Sequence, residues 1–327
     1  MTEYKQGLRA LADARGFKIG AAVDMKPIAD EPAYDQALTR EFNMCVGENA
    51  FKPAFVWKGP RDYWFEDTDR LAEFARQNGM LLRGHTLLWH QSVPKWLAEG
   101  EYKPADARDL LSAYIHAIVS RYRGQIEVWD VVNEAVADGE EGGMREASFW
   151  YKTLGPEYID LAFHWAHEAD PDARLYYNDY EAEGMNAKAN AIYALARDMQ
   201  ARSIPIHGIG LQCHLINGWR VTDENRANIR RIAALGLDWQ VTECDIRMQL
   251  DGKEPTTEQL QVQAEGYADL IRLCVDEPGC QGFLVWGFTD AHSWIPGFRK
   301  GWGAPLPLDE HYQPKPAYHA IAQALSK

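Results

Sequence analysis

The chain has 327 residues, 46% of them hydrophobic, and a formal charge of −14, so it can bury a large core but repels phosphate backbones and anionic membranes. It shows no Lys/Arg block and no apolar run of about 18 residues, which argues against a nucleic-acid partner and a membrane span. The cysteines Cys45, Cys213, Cys244, Cys274 and Cys280 lack zinc-ligand spacing and read as mostly buried thiols, with one local disulfide between Cys274 and Cys280, across the turn DEPG, as the alternative.

The opening MTEYKQGLRALADARG is polar with a helical pattern and does not read as a signal peptide, which leaves the compartment open. Apolar strand runs follow at residues 17–23, 44–46, 80–88, 126–132, 174–177, 206–212, 237–242 and 282–287. Amphipathic stretches such as DRLAEFARQNG, ARDLLSAYIHAIVSRYRG and ENRANIRRIAALG lie between them, several ending in Gly as helix C-termini do. Eight strand-helix units, the last closing with PKPAYHAIAQALSK, predict an α/β fold, a (β/α)8 TIM barrel. No linker, repeat or low-complexity segment interrupts it, so residues 1–327 read as a single catalytic domain.

Chemistry in such a barrel gathers at the carboxyl ends of the strands. The polar residues that end each apolar run are therefore candidates for one mouth. They are Glu48, Asn49 and Lys52 after strand two, His85, Trp89 and His90 around the end of strand three, and Asn133 and Glu134 after strand four. Strand five supplies Asn178, Asp179 and Tyr180, strand six Gln212 and His214, strand seven Glu243 and Asp245, and strand eight Trp286, Asp290, His292 and Trp294. Strands four and seven lie almost opposite in an eight-membered ring, so Glu134 and Glu243 can face each other. Two carboxylates flanking a bond are what glycoside hydrolysis needs, one protonating the leaving oxygen and one meeting the oxocarbenium-like centre. The 12 Trp and 15 Tyr are a high count, read in part as core filler and otherwise as candidate platforms for flat apolar ligand faces such as sugar rings. A metal site is the competing chemistry, but His85 with His90 and His164 with His167 lack a third ligand, and the helical HWAH reads as packing and surface.

The motifs ENAFK, GHTLLWH, WDVVNEA, YYNDY, HGIGLQCHL, VTECDI, VWGFTDAHSW and PKPAY, in that order, resemble glycoside hydrolase family 10, the endo-β-1,4-xylanases, over nearly the whole length. The resemblance implies a retaining, cofactor-free hydrolase of xylan and xylo-oligosaccharides with no obligate protein partner. It makes Glu134 the general acid/base and Glu243 the nucleophile, about 5 to 5.5 Å apart. It places Asn133 on the sugar 2-hydroxyl, and His214 against Glu243 with Asp245 orienting the imidazole. Gln212 and Asn178 frame the carboxylates, and Tyr180 faces the leaving-group sugar. Glu48, Asn49, Lys52, His85 and Trp89 match glycone-binding positions, walled by Trp286 and Trp294. Three departures stand out. WHQSVP puts Gln91 one place early and Ser92 in the usual Gln position, putting that glycone contact in doubt. Cys244 follows Glu243 where an apolar residue is usual, and Cys274 with Cys280 match a disulfide of secreted members. A related β-glycanase acting on glucans, a catalytically silent sugar-binding barrel and a metal-dependent hydrolase are the rival readings.

Overall fold

In the computed structural model, which describes residues 7–139 and 141–327, eight parallel strands close on themselves. They are β1 (Ile19–Val23), β2 (Met44–Gly47), β3 (Leu81–Trp89), β4 (Ile126–Asn133), β5 (Arg174–Asp179), β6 (Gly208–Leu211), β7 (Asp238–Gln249) and β8 (Cys280–Val285). Each pairs with the next, and β8 pairs with β7 and back to β1. The helices α1 (Pro32–Glu41), α2 (Glu66–Gln77), α3 (Pro104–Arg121), α4 (Tyr158–Ala169), α5 (Ala187–Ala201), α6 (Asp223–Ala234), α7 (Thr257–Asp276) and α8 (Pro316–Leu325) follow the eight strands in turn. The predicted (β/α)8 barrel is therefore the observed fold. Of the amino-terminal helical pattern, Leu8–Asp13 is a helix and residues 1–6 lie outside the described residues.

Local chemistry sets these boundaries. Helices α6 and α7 start at capping boxes, Thr222 with Asn225 and Thr256 with Gln259, each pair satisfying two free amide donors. Helix α2 carries Glu66, Asp67 and Asp69 in its first turn and Arg76 in its last, matching the helix dipole. The strands are buried on both faces, which is why they read as apolar runs rather than alternating ones.

Two apolar layers result. The larger lies between strands and helices; the smaller fills the barrel itself with Ala22, Met44, Val46, Leu284 and Trp286. The interior also holds a buried charged pair. Arg83 donates through Nε to Asp130 Oδ2 at 3.1 Å and through Nη1 to Gln240, with its guanidinium 5.0 Å from the Tyr176 ring centroid. Burial pushes the Asp130 carboxyl up, but the Arg83 charge and the His85 hydrogen bond outweigh it and hold the carboxyl below its ordinary value.

Two strand boundaries differ from the sequence reading for a reason that bears on the site. Strand β7 does not stop at residue 242 but runs to Gln249, because it gains new partners, first His214–Ile216 and then Trp302–Gly303. Strand β6 is shorter than residues 206–212, ending before Cys213, whose φ of 60° takes the chain out of extended geometry. All five cysteines are free thiols, and burial followed by the neighbouring Cys280 pushes the Cys274 thiol well up. Among the described residues no helix is long and apolar enough to cross a membrane, and no three His, Cys, Asp or Glu side chains are grouped to hold a metal ion.

Candidate active site

The carboxyl ends of the strands open into a cleft of about 1020 Å³, and both Glu134 and Glu243 line it. Glu48, Asn49, Lys52, His85, Trp89, Asn133, Tyr180, Gln212, His214, Trp286 and Trp294 share the same walls. Asn178 and Asp245, both fully buried, stand behind the wall and touch the residues that form it.

Glu134 follows the last residue of β4 and sits in the left-handed region at φ 57°, unusual for a residue with a Cβ. That turn is held from several sides. The Glu134 amide donates to Asn178 O at 2.9 Å, and the amides of Ala135 and Val136 both donate to the Tyr177 hydroxyl, at 2.9 and 3.0 Å. Arg145 Nε donates to the Glu134 carbonyl at 3.1 Å. The side chain is met by neutral donors: Trp89 Nε1 at 2.7 Å from Oε2, and Gln212 Nε2 and Asn133 Nδ2 at 3.1 and 3.3 Å from Oε1. His90 lies 3.9 Å away, but burial and the nearby Arg145 charge pull its imidazole down to about 4, so it is uncharged at neutral pH.

Glu243 is set differently. It sits within β7, 4% exposed, and accepts from Asn178 Nδ2 at 2.7 Å, while Oε2 lies 3.2 Å from His214 Nε2. His214 Nδ1 is 2.8 Å from Asp245 Oδ2, which also accepts from Trp294 Nε1 at 2.9 Å. Burial disfavours the imidazolium, but Asp245 and then Glu243 overcome it and push His214 up to about 10. The resulting cation bears on the carboxylate. Burial would raise the Glu243 carboxyl, yet the charge of His85 and the hydrogen bond and charge of His214 hold it below its ordinary value.

A single amide frame joins the two. Asn178 Nδ2 donates to Asn133 Oδ1 at 2.8 Å as well as to Glu243, and Gln212 Nε2 reaches Asn133 Oδ1 at 3.2 Å as well as Glu134. Thr242 fixes Asn178 from behind with a 2.7 Å bond to Oδ1. The neighbouring residue on β6 must be glycine: a Cβ on Gly210 would stand 2.1 Å from Asn178 Oδ1.

At the β2 end, Lys52 donates to Asn49 Oδ1 at 3.1 Å, and its ammonium lies 4.9 Å from the Trp89 ring centroid and 5.7 Å from that of Trp286. Burial pushes the Glu48 carboxyl up to about 7 despite Lys52, and burial pulls Lys52 down. Ser92 is buried and its hydroxyl accepts from the Ala54 amide at 3.2 Å; Gln91, one place earlier, is exposed on the cleft wall.

Besides Asn178 and Asp245, four residues expected in the mouth do not reach the cleft. Asp179 follows Asn178 on β5, so it points to the opposite face, where it pairs with Lys188 at 3.0 Å and accepts from the Tyr177 hydroxyl. His90 lies behind Glu134, as described. Asp290 and His292 sit on a short turn packed against the segment before α8 and the start of α1, pairing with Lys315 at 2.7 Å and Glu31 at 3.1 Å respectively. Conversely, Trp219, Asn217, Arg247 and Phe298 line the cleft without having been singled out, and Tyr177 and Arg145 carry the Glu134 turn. Tyr177 was visible as part of YYNDY; Arg145 and Arg247 carry no pattern that would find them.

Comparison with known proteins agrees with this geometry. The family model described as glycosyl hydrolase family 10 matches residues 7–324. Endo-1,4-beta-xylanase B of Thermotoga neapolitana is 40% identical over 98% of this chain and 92% of its own length. The crystal structure of native xylanase 10B from Thermotoga maritima superposes with a TM-score of 0.93 at 41% identity, covering 98% of each chain. Xylanase 10B from Thermotoga petrophila RKU-1 in complex with xylobiose gives a TM-score of 0.94 at 41% identity, over 99% of this chain and 98% of that one. With a barrel closed over its full length and paired carboxylates at its mouth, this chain belongs to glycosyl hydrolase family 10.

Proposed function

We propose that the protein is an endo-1,4-β-xylanase that cuts xylan and xylo-oligosaccharides by double displacement with retention of configuration, from one catalytic domain. The observation that carries this reading is the division of surroundings between two buried carboxylates of one cleft. Glu243, paired with cationic His214, is kept ionised and free to attack the anomeric carbon, forming a covalent glycosyl-enzyme. Glu134, met only by neutral donors, delivers a proton to the leaving oxygen and then takes one from the incoming water. Asn133 serves the sugar 2-hydroxyl in this reading, a contact that strengthens as the ring flattens. Lys52, Asn49 and Glu48 serve the hydroxyls of the glycone, and Tyr180 faces the sugar that leaves.

The endo-xylanase relatives support the substrate class. Incubation with xylan, with the configuration of the first-formed reducing end followed by NMR, tests substrate, internal cleavage and stereochemistry together. Xylo-oligosaccharides appearing first as the β-anomer are expected; first appearance of the α-anomer would sink the double displacement. A higher rate on aryl cellobioside than on aryl xylobioside would overturn the substrate assignment.

A further inference from the structure

Beyond Glu243, strand β7 carries a cation into the cleft. Arg247 pairs in register with Ile216, lines the cleft, and donates through Nη1 to the His214 carbonyl at 3.2 Å. Its Nε is shielded from solvent and has no partner among the described residues. Arg299 approaches the same place. The Arg247 guanidinium is 5.8 Å and the Arg299 guanidinium 5.2 Å from the ring centroid of Trp302. Arg145, Arg174 and Arg220 each hold a carboxylate, whereas neither Arg247 nor Arg299 does so among the described residues.

Gathering two guanidiniums without an anion is unfavourable, and the molecule registers it. Burial pulls Arg247 below its ordinary value; the Asp245 charge opposes that fall, and the smaller Arg299 repulsion adds to it. Asp245 holds His214 and Trp294 through Oδ2, and no ion pair joins it to Arg247 among the described residues. Next to Arg299, Phe298 is 69% exposed on the cleft wall, with its ring 4.6 Å from that of Trp294. An unpaired guanidinium pair beside an exposed aromatic face offers a carboxylate site and a sugar platform together.

We propose that Arg247 and Arg299, flanking Trp302 and bordered by Phe298, form a subsite for carboxylate-bearing (uronosyl) substituents of the xylan chain. The inference rests on the xylanase reading and deepens it. In a protein of net charge −14, an acidic decoration is disfavoured by the surface at large, and a local cation offsets that repulsion. The exposed aromatic face beside the charge favours a uronosyl group over a free inorganic anion, which would need only the charge.

The test compares a neutral xylo-oligosaccharide with a uronosyl-substituted one of the same backbone length and with that same compound after reduction of its carboxyl to an alcohol. The measured quantity is the ratio of kcat/KM, substituted over neutral. Damage to His214 from loss of the Arg247 bond lowers both rates and leaves the ratio, so the ratio reads recognition alone. The ratio is expected to fall about fivefold to tenfold in Arg247→Gln/Arg299→Gln, and by less in Arg299→Gln alone. It should also fall for the wild type in 0.5 M salt, and carboxyl reduction should remove both effects. A ratio unchanged by the substitutions, or a fall that persists with the reduced compound, overturns the subsite. A fall in the ratio that is larger in inorganic phosphate than in chloride of the same ionic strength would assign the site to free anions and also overturn the proposal. Failure to cut even the neutral oligosaccharide would overturn the xylanase reading itself, and this inference with it.

Discussion

The β4 and β7 shelves present the same residue type to the same cleft by opposite means. Glu134 stands at the end of its strand, on a left-handed turn, and its carboxylate meets only neutral N–H donors. Glu243 stands in the middle of a strand that runs on for six more residues to Gln249, and its carboxylate meets an imidazolium backed by Asp245. Position in the strand explains the contrast. A mid-strand residue has its backbone fixed by the ladder, so only its charge needs tuning. A residue beyond the strand needs its backbone held, and Tyr177 and Arg145 supply that hold. One carboxylate is thus controlled through charge and the other through geometry.

Removal of either carboxylate probes that contrast most strongly. Glu243→Ala should lower the rate on every substrate by several orders of magnitude, because no covalent intermediate forms. Azide should restore turnover on activated aryl glycosides and give a glycosyl azide of inverted configuration; a retained product would contradict the assignment. Glu134→Ala should be selective, crippling hydrolysis of xylan while sparing formation of the intermediate from good leaving groups, which need little protonation. Equal losses on xylan and on a dinitrophenyl glycoside would break the comparison.

The charge side is sharpened by His214→Asn, with a loss of about a hundredfold expected. Without the imidazolium, the carboxyl of Glu243 rises, so the acid limb of kcat/KM should move to higher pH. The same substitution has a stability signature. His214 is raised from its ordinary value to about 10, so its contribution is fully present below about pH 6.5 and is lost as pH rises through 10. Denaturation followed from pH 6 to 10 should show a steeper decline in the wild type than in the variant; parallel curves would mean that His214 is not charged in the folded protein.

The geometry side is tested by Tyr177→Phe, which leaves the ring but removes the acceptor for the Ala135 and Val136 amides. A loss of about tenfold is expected on substrates with poor leaving groups and little on activated ones, since only the proton donor is displaced. An identical loss on both classes, tracking a fall in melting temperature, would show a merely structural role.

What could be read in advance follows the same division. The barrel and both carboxylates were legible because the strands are largely apolar until they near the mouth, Arg83, Asp130 and Gln240 excepted, so Asn133–Glu134 and Glu243 stand out where they do. The holding contacts were not. Arg145 comes to Glu134 from an irregular loop, and Asp290 and His292 follow β8 in sequence yet turn away to Lys315 and Glu31, a path that periodicity does not encode. The shifted glutamine lies between these cases. WHQSVP exposed the departure, and only the fold assigns Ser92 to the Ala54 amide and Gln91 to the cleft wall.

The smallest expected effect concerns a third carboxyl, one that feels the charge of the β7 shelf. Glu48 is pushed up to about 7 by burial, with the charge of Glu243 adding to the rise and Lys52 opposing it. A raised carboxyl holds its proton more tightly in the folded protein, so stability falls as pH climbs from about 4.5 to 7. Over the same range its role toward a sugar hydroxyl changes from donor or acceptor to acceptor only. KM for short xylo-oligosaccharides should therefore shift by about twofold to threefold between roughly pH 6 and 8, and Glu48→Gln should flatten that step while kcat keeps its acid limb. A step of unchanged size in the variant would assign the titration to another group. Its disappearance together with a moved kcat limb would mean that Glu48 acts through Glu243 rather than on the sugar.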